Sequence, residues 1–219
     1  MSYTGDVSPG GASDTRELDE LTIRKCSVGT MDNNAYLLTS TATGDQVLID
    51  AADDTPRLRA LVGEGSGQLQ AVITTHQHWD HHRALADIVG ETSATTYAGA
   101  PDAAALPVAV DRPVEQGDRI SVGDIDLDVI RLTGHTPGSI ALAWTQRSGR
   151  VHLFTGDSLF PGGPGKTNSP VDFGHLIDDL EERVFDVYGD QTWVYPGHGA
   201  DTTLGAERPH LAQWRTRGW

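Results

Sequence analysis

The segment Thr75-His76-Gln77-His78-Trp79-Asp80-His81-His82 holds four of the chain's nine histidines. Its core is the pattern His-x-His-x-Asp-His. Imidazole and carboxylate together are donors that zinc, iron and manganese accept. If the segment leaves a strand, alternation puts His76 and His78 on one side. Asp80 and His81 then lie past the bend, free to turn towards a second ion. Three further donors stand in glycine-containing turns: His135 in Thr133-Gly134-His135-Thr136-Pro137-Gly138, Asp157 in Thr155-Gly156-Asp157, and His198 in Tyr195-Pro196-Gly197-His198-Gly199. Glycine beside a donor permits a sharp turn and close backbone approach.

Each donor follows a short apolar run that reads as a strand: residues 71–74, 125–132, 151–155 and 192–195. Further strands are expected at 21–28, 35–41, 46–49, 95–98, 119–122 and 140–144, with a turn at 31–34 and a hairpin through Thr43-Gly44-Asp45. Thr55 is placed to cap a helix with Pro56 in its first turn and Leu58, Leu61 and Val62 on its buried face. A second helix is expected over 83–89. Ser169-Pro170-Val171-Asp172 reads as a capping box, with Leu176, Leu180, Val184 and Val187 on one stripe behind it. A short helical tail runs to Trp219. Residues 1–17, rich in Gly, Ser, Thr and Asp, read as a flexible arm, and 18–219 as a single α/β domain of two packed sheets with helices outside.

The composition, 37% hydrophobic and 21% charged over 219 residues, is that of a soluble globular chain. Thirty-one acidic residues against 16 basic ones give a formal charge of -15. Such a surface repels phosphate backbones, so no nucleic-acid partner is expected. No apolar run approaches the roughly 20 residues of a membrane span, so no membrane partner is expected either. Residues 1–11 lack a secretory pattern, and Cys26 is the single cysteine, so cytoplasm is the expected location. Oligomeric state has no signal in the sequence.

In order and context, His-x-His-x-Asp-His, Gly-His-Thr-Pro-Gly, Gly-Asp and Pro-Gly-His-Gly resemble the metallo-β-lactamase-fold hydrolases. Within them they resemble the glyoxalase II-like (hydroxyacylglutathione hydrolase-like) branch. The resemblance spans residues 21–219 and fills all seven ligand positions. It implies an αββα sandwich with the metals at one edge. It also implies one ion on His76, His78 and His135, a second on Asp80, His81 and His198, and Asp157 bridging the two. The cofactors implied are two divalent ions, zinc first, with iron or manganese as alternatives. Water held between them would become the hydroxide nucleophile. The substrate implied is a small-molecule thioester or ester, foremost a 2-hydroxyacyl thioester, with Asp80 taking the proton as the tetrahedral intermediate collapses.

Similar proteins carry an acid where Asp50 ends the strand 46–49, in position to orient a metal histidine. The loop from Phe160 to Asn168 borders the substrate channel in the resemblance, and Lys166 matches a lysine that holds a carboxylate of the glutathione moiety. Phe160, Thr167, Asn168 and Trp79 are the other substrate contacts implied, with Asn33, Asn34 and Tyr36 as a wall. The ending Gly165-Lys166-Thr167 mimics a phosphate-binding loop, but Phe160 stands where that motif needs glycine. Cys26, His82, His152, His175 and His210 match no ligand position and read as core or surface.

True glyoxalase II carries an extra C-terminal helical domain and a tyrosine soon after the last histidine. Here Gly199-Ala200-Asp201-Thr202-Thr203 follows His198, as in compact members, which leaves the thiol carrier open. Two alternatives share the fold. One is a persulfide dioxygenase with a single iron on His76, His135 and Asp157, whose usual Gly-Arg-Thr-Asp is replaced here by Gly165-Lys166-Thr167-Asn168. The other is a lactonase. β-Lactamases lack the bridging aspartate that Asp157 supplies.

Overall fold

The computed structural model describes residues 3–218; Met1 and Ser2 of the expected arm and Trp219 at the end of the expected tail lie outside the described residues. One sheet has seven strands in sequence order: β1 (Asp14–Glu17), β2 (Leu21–Val28), β3 (Asn33–Ser40), β4 (Gln46–Ile49), β5 (Leu69–Thr74), β6 (Thr95–Gly99) and β7 (Arg112–Val114). The first four pair antiparallel and the last four parallel. The second sheet contains β8 (Arg119–Val122), β9 (Ile125–Arg131), β10 (Ile140–Thr145), β11 (Val151–Gly156), β14 (Trp193–Pro196) and β15 (Thr202–Thr203), in the order β15-β14-β11-β10-β9-β8. Between them in sequence, β12 (Leu159–Phe160) and β13 (Gly163–Pro164) form a small ribbon. The helices are α1 (Thr55–Glu64), α2 (Leu85–Thr92), α3 (Pro170–Leu180), α4 (Leu204–Glu207) and α5 (Leu211–Arg217).

Strand alternation builds the layers. Ile23, Tyr36, Leu38, Ile49 and Ile73 of the first sheet meet Leu127, Leu142, Phe154 and Tyr195 of the second in one buried cluster. Their neighbours point outward: Leu37, Leu48 and Val72 pack under Leu58, Leu61, Leu85 and Ile88 of α1 and α2. Ala141, Leu153 and Val194 pack under Leu176, Leu180 and Trp214 of α3 and α5. The result is the αββα sandwich, each large apolar side chain contributing about 1.5–3 kcal/mol by its burial. No helix among the described residues is long and apolar enough to cross a membrane.

Three local expectations are corrected. The cap of α1 is Asp54, not Thr55: Asp54 takes φ 51° and its carboxylate accepts from Arg57 N, while Thr55 Oγ1 donates to Asp87 of α2. Val187 is exposed, because α3 passes into a wider π-type turn over Glu181–Phe185 that rotates the stripe out of register. Residues 3–17 are anchored rather than a flexible arm. Asp14 accepts from Thr4 N, Thr4 Oγ1 and Gly5 N, and Arg16 stacks 3.8 Å over Trp193. Buried Lys25 donates to Gly5 O, Gly199 O and Asp201 Oδ1, the last at 2.7 Å. Losing either partner of Lys25–Asp201 would strand a buried charge, at a cost of about 3–5 kcal/mol. Polar composition conceals this order because the partners are distant in sequence.

His152 lies in the inter-sheet layer with Nδ1 2.8 Å from Tyr195 OH and Nε2 without a partner. Burial, with Arg16 and Arg150 nearby, pushes its pKa down to about 3. The folded protein keeps it neutral while the unfolded chain takes up a proton below its ordinary value. Its contribution is therefore intact above about pH 6.5 and is lost as pH falls towards 3. Between pH 7 and 5 this should remove about 2 kcal/mol of stability, and His152→Gln is expected to flatten that limb in denaturant unfolding.

Candidate functional site

The donors converge on the edge where strands of both sheets end. β5 delivers His76 and His78, and the single 3-10 turn Trp79–His81 that follows places Asp80 and His81. The loop after β9 brings His135, β11 ends one residue before Asp157, and β14 ends two before His198. His76 Nε2 and His78 Nδ1 are 3.1 Å apart, as are His81 Nε2 and His198 Nε2. Asp157 reaches both groups: its Oδ2 is 3.6 Å from His135 Nε2 and its Oδ1 is 3.4 Å from His81 Nε2. Asp80 Oδ2 is 3.4 Å from His198 Nε2 and 3.6 Å from His81 Nε2. Donors about 2 Å from a common cation stand roughly 3–3.5 Å from one another, the spacing found here. Three groupings keep all their donor atoms within 4.8 Å of one another: His76, His78, His135; His76, His81, Asp157; and Asp80, His81, His198.

Hydrogen bonds behind the donors fix which atoms face inward. Nδ1 of His81 lies 2.9 Å from Asp50 Oδ2, that of His135 2.6 Å from Lys166 O, and that of His198 2.9 Å from Met31 O. Each Nδ1–H is thereby spent, and each Nε2 is turned to the centre. Asp50 adopts φ 59°, a left-handed backbone that costs a β-carbon residue roughly 1–2 kcal/mol. Its carboxylate also accepts from Thr75 N and Thr75 Oγ1, both at 2.8 Å. Gly197 allows a close approach: a β-carbon there would collide with Asp157 Oδ1 and the His81 ring.

Two buried atoms in this cluster, His135 Nε2 and Asp157 Oδ1, have no hydrogen-bond partner. An unpaired buried polar atom costs about 1–3 kcal/mol, which a cation would remove. The electrostatics agree. Burial opposes charge on Asp157, yet the His198 and His81 imidazoles, each 3.4 Å away, hold its carboxyl well below the usual range. Asp80 is also lowered, with burial outweighed by His198 and Asn33. Burial also works against protonated His81 and His198, but Asp50 and Asp157 raise the first, and Asp157 and Asp80 the second. His76 and His135 are pushed down by burial. The carboxylates that favour positive charge on His81 and His198 would equally favour a cation among these donors. The donor set fits one or two divalent ions.

The other expected residues fall around this edge. Trp79 is half exposed, with the Arg83 guanidinium 3.6 Å over its ring. The Phe160 ring is 6.4 Å from that of His198. Lys166 is exposed, Thr167 is buried, and Asn168 lines a cavity of about 230 Å³ together with His135. His82 bonds to Gln77 O, His175 lines a separate cavity with Arg131 and Arg183, and His210 sits against Trp214. Asn34 and Tyr36 are buried with their side chains bonded to Pro196 O, so they brace the end of β14 and form no exposed wall.

Two residues have a larger part than their sequence context signals. Asn33 Nδ2 donates to Asp80 Oδ2 at 2.9 Å. Asp102, fully buried, accepts from Gln77 N at 2.9 Å, Thr136 Oγ1 at 2.5 Å and Gly138 N at 2.7 Å. It thus ties the His76–His78 turn to the His135 loop. No motif surrounds Asp102; a lone aspartate in an irregular stretch carries no signal of its fold partners.

Two outcomes are expected. Zinc added to metal-free protein at pH 7 in weak buffer should release protons from His81 and His198, read with a pH indicator; a silent titration would contradict their raised affinity for protons. Asp102→Ala should weaken zinc binding about 10–100-fold in competition with a chromophoric chelator, by freeing two donor loops at once.

The model of the metallo-beta-lactamase superfamily matches residues 28–198. Among curated proteins, the hydroxyacylglutathione hydrolase of Fuscovulum blasticum is 38% identical over 62% of this chain and 51% of its own length. That of Rhodospirillum rubrum is 35% identical over 76% of this chain and 62% of its own. The chain thus spans about half to three-fifths of the length of these relatives. Among solved structures, ETHE1 from Myxococcus xanthus has a TM-score of 0.75 at 29% identity, covering 89% of this chain and 84% of that one. TTHA1623 in a di-iron-bound form has a TM-score of 0.69 at 31% identity, covering 83% and 95%.

Proposed function

The chain belongs to the metallo-β-lactamase superfamily, and on that footing we propose that it is a binuclear metal-dependent hydrolase of 2-hydroxyacyl thioesters. The observation that carries the reading is Asp157, which lies between two three-donor groups with a buried oxygen unsatisfied. One ion would be held by His76, His78 and His135, the other by Asp80, His81 and His198, with Asp157 shared. Zinc is the first choice for this donor set; the di-iron form of a similar protein keeps iron in view, and manganese is also compatible. Two divalent cations there would supply Lewis acidity, acidifying water and polarising a carbonyl.

The chain's own residues account for the rest. Hydrolysis forms a C–O bond, breaks the C–S bond, and needs one proton moved to the departing thiolate. Asp80 is the group placed to move it. Its Oδ2 is engaged by Asn33, His81 and His198, whereas Oδ1 takes part in none of these contacts. Asp50 holds His81 in one orientation, and the Lys166 carbonyl does the same for His135. The exposed Lys166 side chain, in an otherwise acidic protein, would pair with a carboxylate on the thiol carrier. Thr167, Asn168, Phe160 and Trp79 would border the same path. The relatives' name supports a glutathione-type thiol. Cytoplasm goes with this reading, since Cys26 is the single cysteine and is buried, its thiol pushed up to about 12 by burial.

A single-iron persulfide dioxygenase is the second reading, motivated by the likeness to ETHE1. The His81/His198/Asp80 grouping supports the two-ion site over it. The test is a panel of thioesters, lactones and a persulfide on protein of measured metal content. Two ions per chain and turnover of 2-hydroxyacyl thioesters are expected. One iron with oxygen uptake on the persulfide would overturn the proposal, and preference for lactones would redirect the substrate. Asp80→Asn should lose about 10²–10⁴-fold in kcat, far more than in substrate affinity. Lys166→Ala should instead raise KM for a carboxylate-bearing thiol carrier and leave kcat near that of the parent.

A further inference from the structure

The hairpin joining β2 and β3 contributes none of the seven donors, yet it touches two of them. Met31 O receives the His198 Nδ1 hydrogen bond. Asn33 Nδ2 stands 2.9 Å from Asp80 Oδ2 and 3.4 Å from His198 Nε2. A carboxylate oxygen only accepts, so the amide nitrogen must face it, and the orientation of Asn33 is fixed by chemistry. Asn33 is 2% exposed. Its backbone is bridged to His198, and the next residue, Asn34, donates from N to Gly197 O at 2.7 Å. The side chain therefore has little freedom to follow Asp80 if the carboxylate turns.

The other three-donor group is braced from different elements. His135 leans on Lys166 O, and Asp102 ties the His76–His78 turn to the His135 loop. Among the described residues, no hydrogen bond runs from Met31 or Asn33 to His76, His78 or His135. The two groups share Asp50, which holds His81 and reaches His76 Nδ1 through Thr75 Oγ1, but the Asn33 contacts belong to the second group alone.

We propose that Asn33 is a positioning residue that sets the affinity of the Asp80/His81/His198 position selectively, by pinning the Asp80 carboxylate with Oδ2 towards His81 and His198. Without the amide, Asp80 rotates about its side-chain bonds, and that position loses its one unshared anionic donor. The other position keeps all its donors and braces. Partners of this kind are worth about 10–100-fold in metal affinity. The inference rests on the two-ion reading.

The experiment titrates metal-free protein with zinc against a chromophoric chelator, for the parent, Asn33→Ala and Asn33→Leu; the leucine keeps the branched shape and removes the donor. The parent should bind two ions. Both variants should bind the first as the parent does and the second about 10–100-fold more weakly. Circular dichroism of the metal-free proteins checks folding, and if the alanine variant fails that check the leucine variant decides. Variants that match the parent at both positions, or weaken both equally, would overturn the role of Asn33 and leave the two-ion reading intact. A parent that binds one ion would refute the two-ion reading itself.

Discussion

Seven side chains that point lone pairs and negative charge at one small volume repel one another. Left to themselves they would turn outward to water. Everything around this edge of the sandwich resists that turning. Strand ends fix the backbone, and Asp50, Lys166 O and Met31 O capture the outer ring nitrogens of three histidines. Asp50, Asp157 and Asp80 favour positive charge on His81 and His198, which offsets part of the conflict. His135 Nε2 and Asp157 Oδ1 have no hydrogen-bond partner, as is expected of donors kept for a cation. The rigid two-sheet core supports this preorganisation.

The bracing is hierarchical. Asp50 sits one strand away from the donors it serves, and its carboxylate links Thr75 to His81 across the start of the histidine cluster. Asp102 acts similarly between the two loops of the first group. Both are buried carboxylates saturated by donors, the condition under which a buried charge is tolerable. Removing one therefore leaves several donors unpaired at once, a larger disturbance than loss of a single contact.

That these seven side chains would meet was legible in the sequence because each segment that carries them follows a strand and adjoins a turn, and both features are local. The strands were legible for the same reason, but not which layer each side chain faces: Leu37 and Leu38, or Leu153 and Phe154, divide between two layers within runs buried on both sides. What stayed hidden depends on distant partners. Tyr3 to Glu17 read as a loose polar stretch, but Lys25, Asp201 and Trp193 hold it. Asp102 looked like any loop aspartate, and Asn33 like a wall residue. Val187 failed differently: a helical period was carried through a turn that widens by one residue.

The donors are spread over more than half of the chain, from His76 to His198, and come from both sheets. As the chain leaves the ribosome, His76 and His78 emerge with only one partial binding surface. Neither three-donor group closes until β9 and then β14 have docked. Such non-local closure is slow relative to local helix formation. Closure of either full group therefore follows the docking of strands that are distant in sequence. The frame that carries the donors can thus be built by packing alone, with an ion as a late addition and not a scaffold.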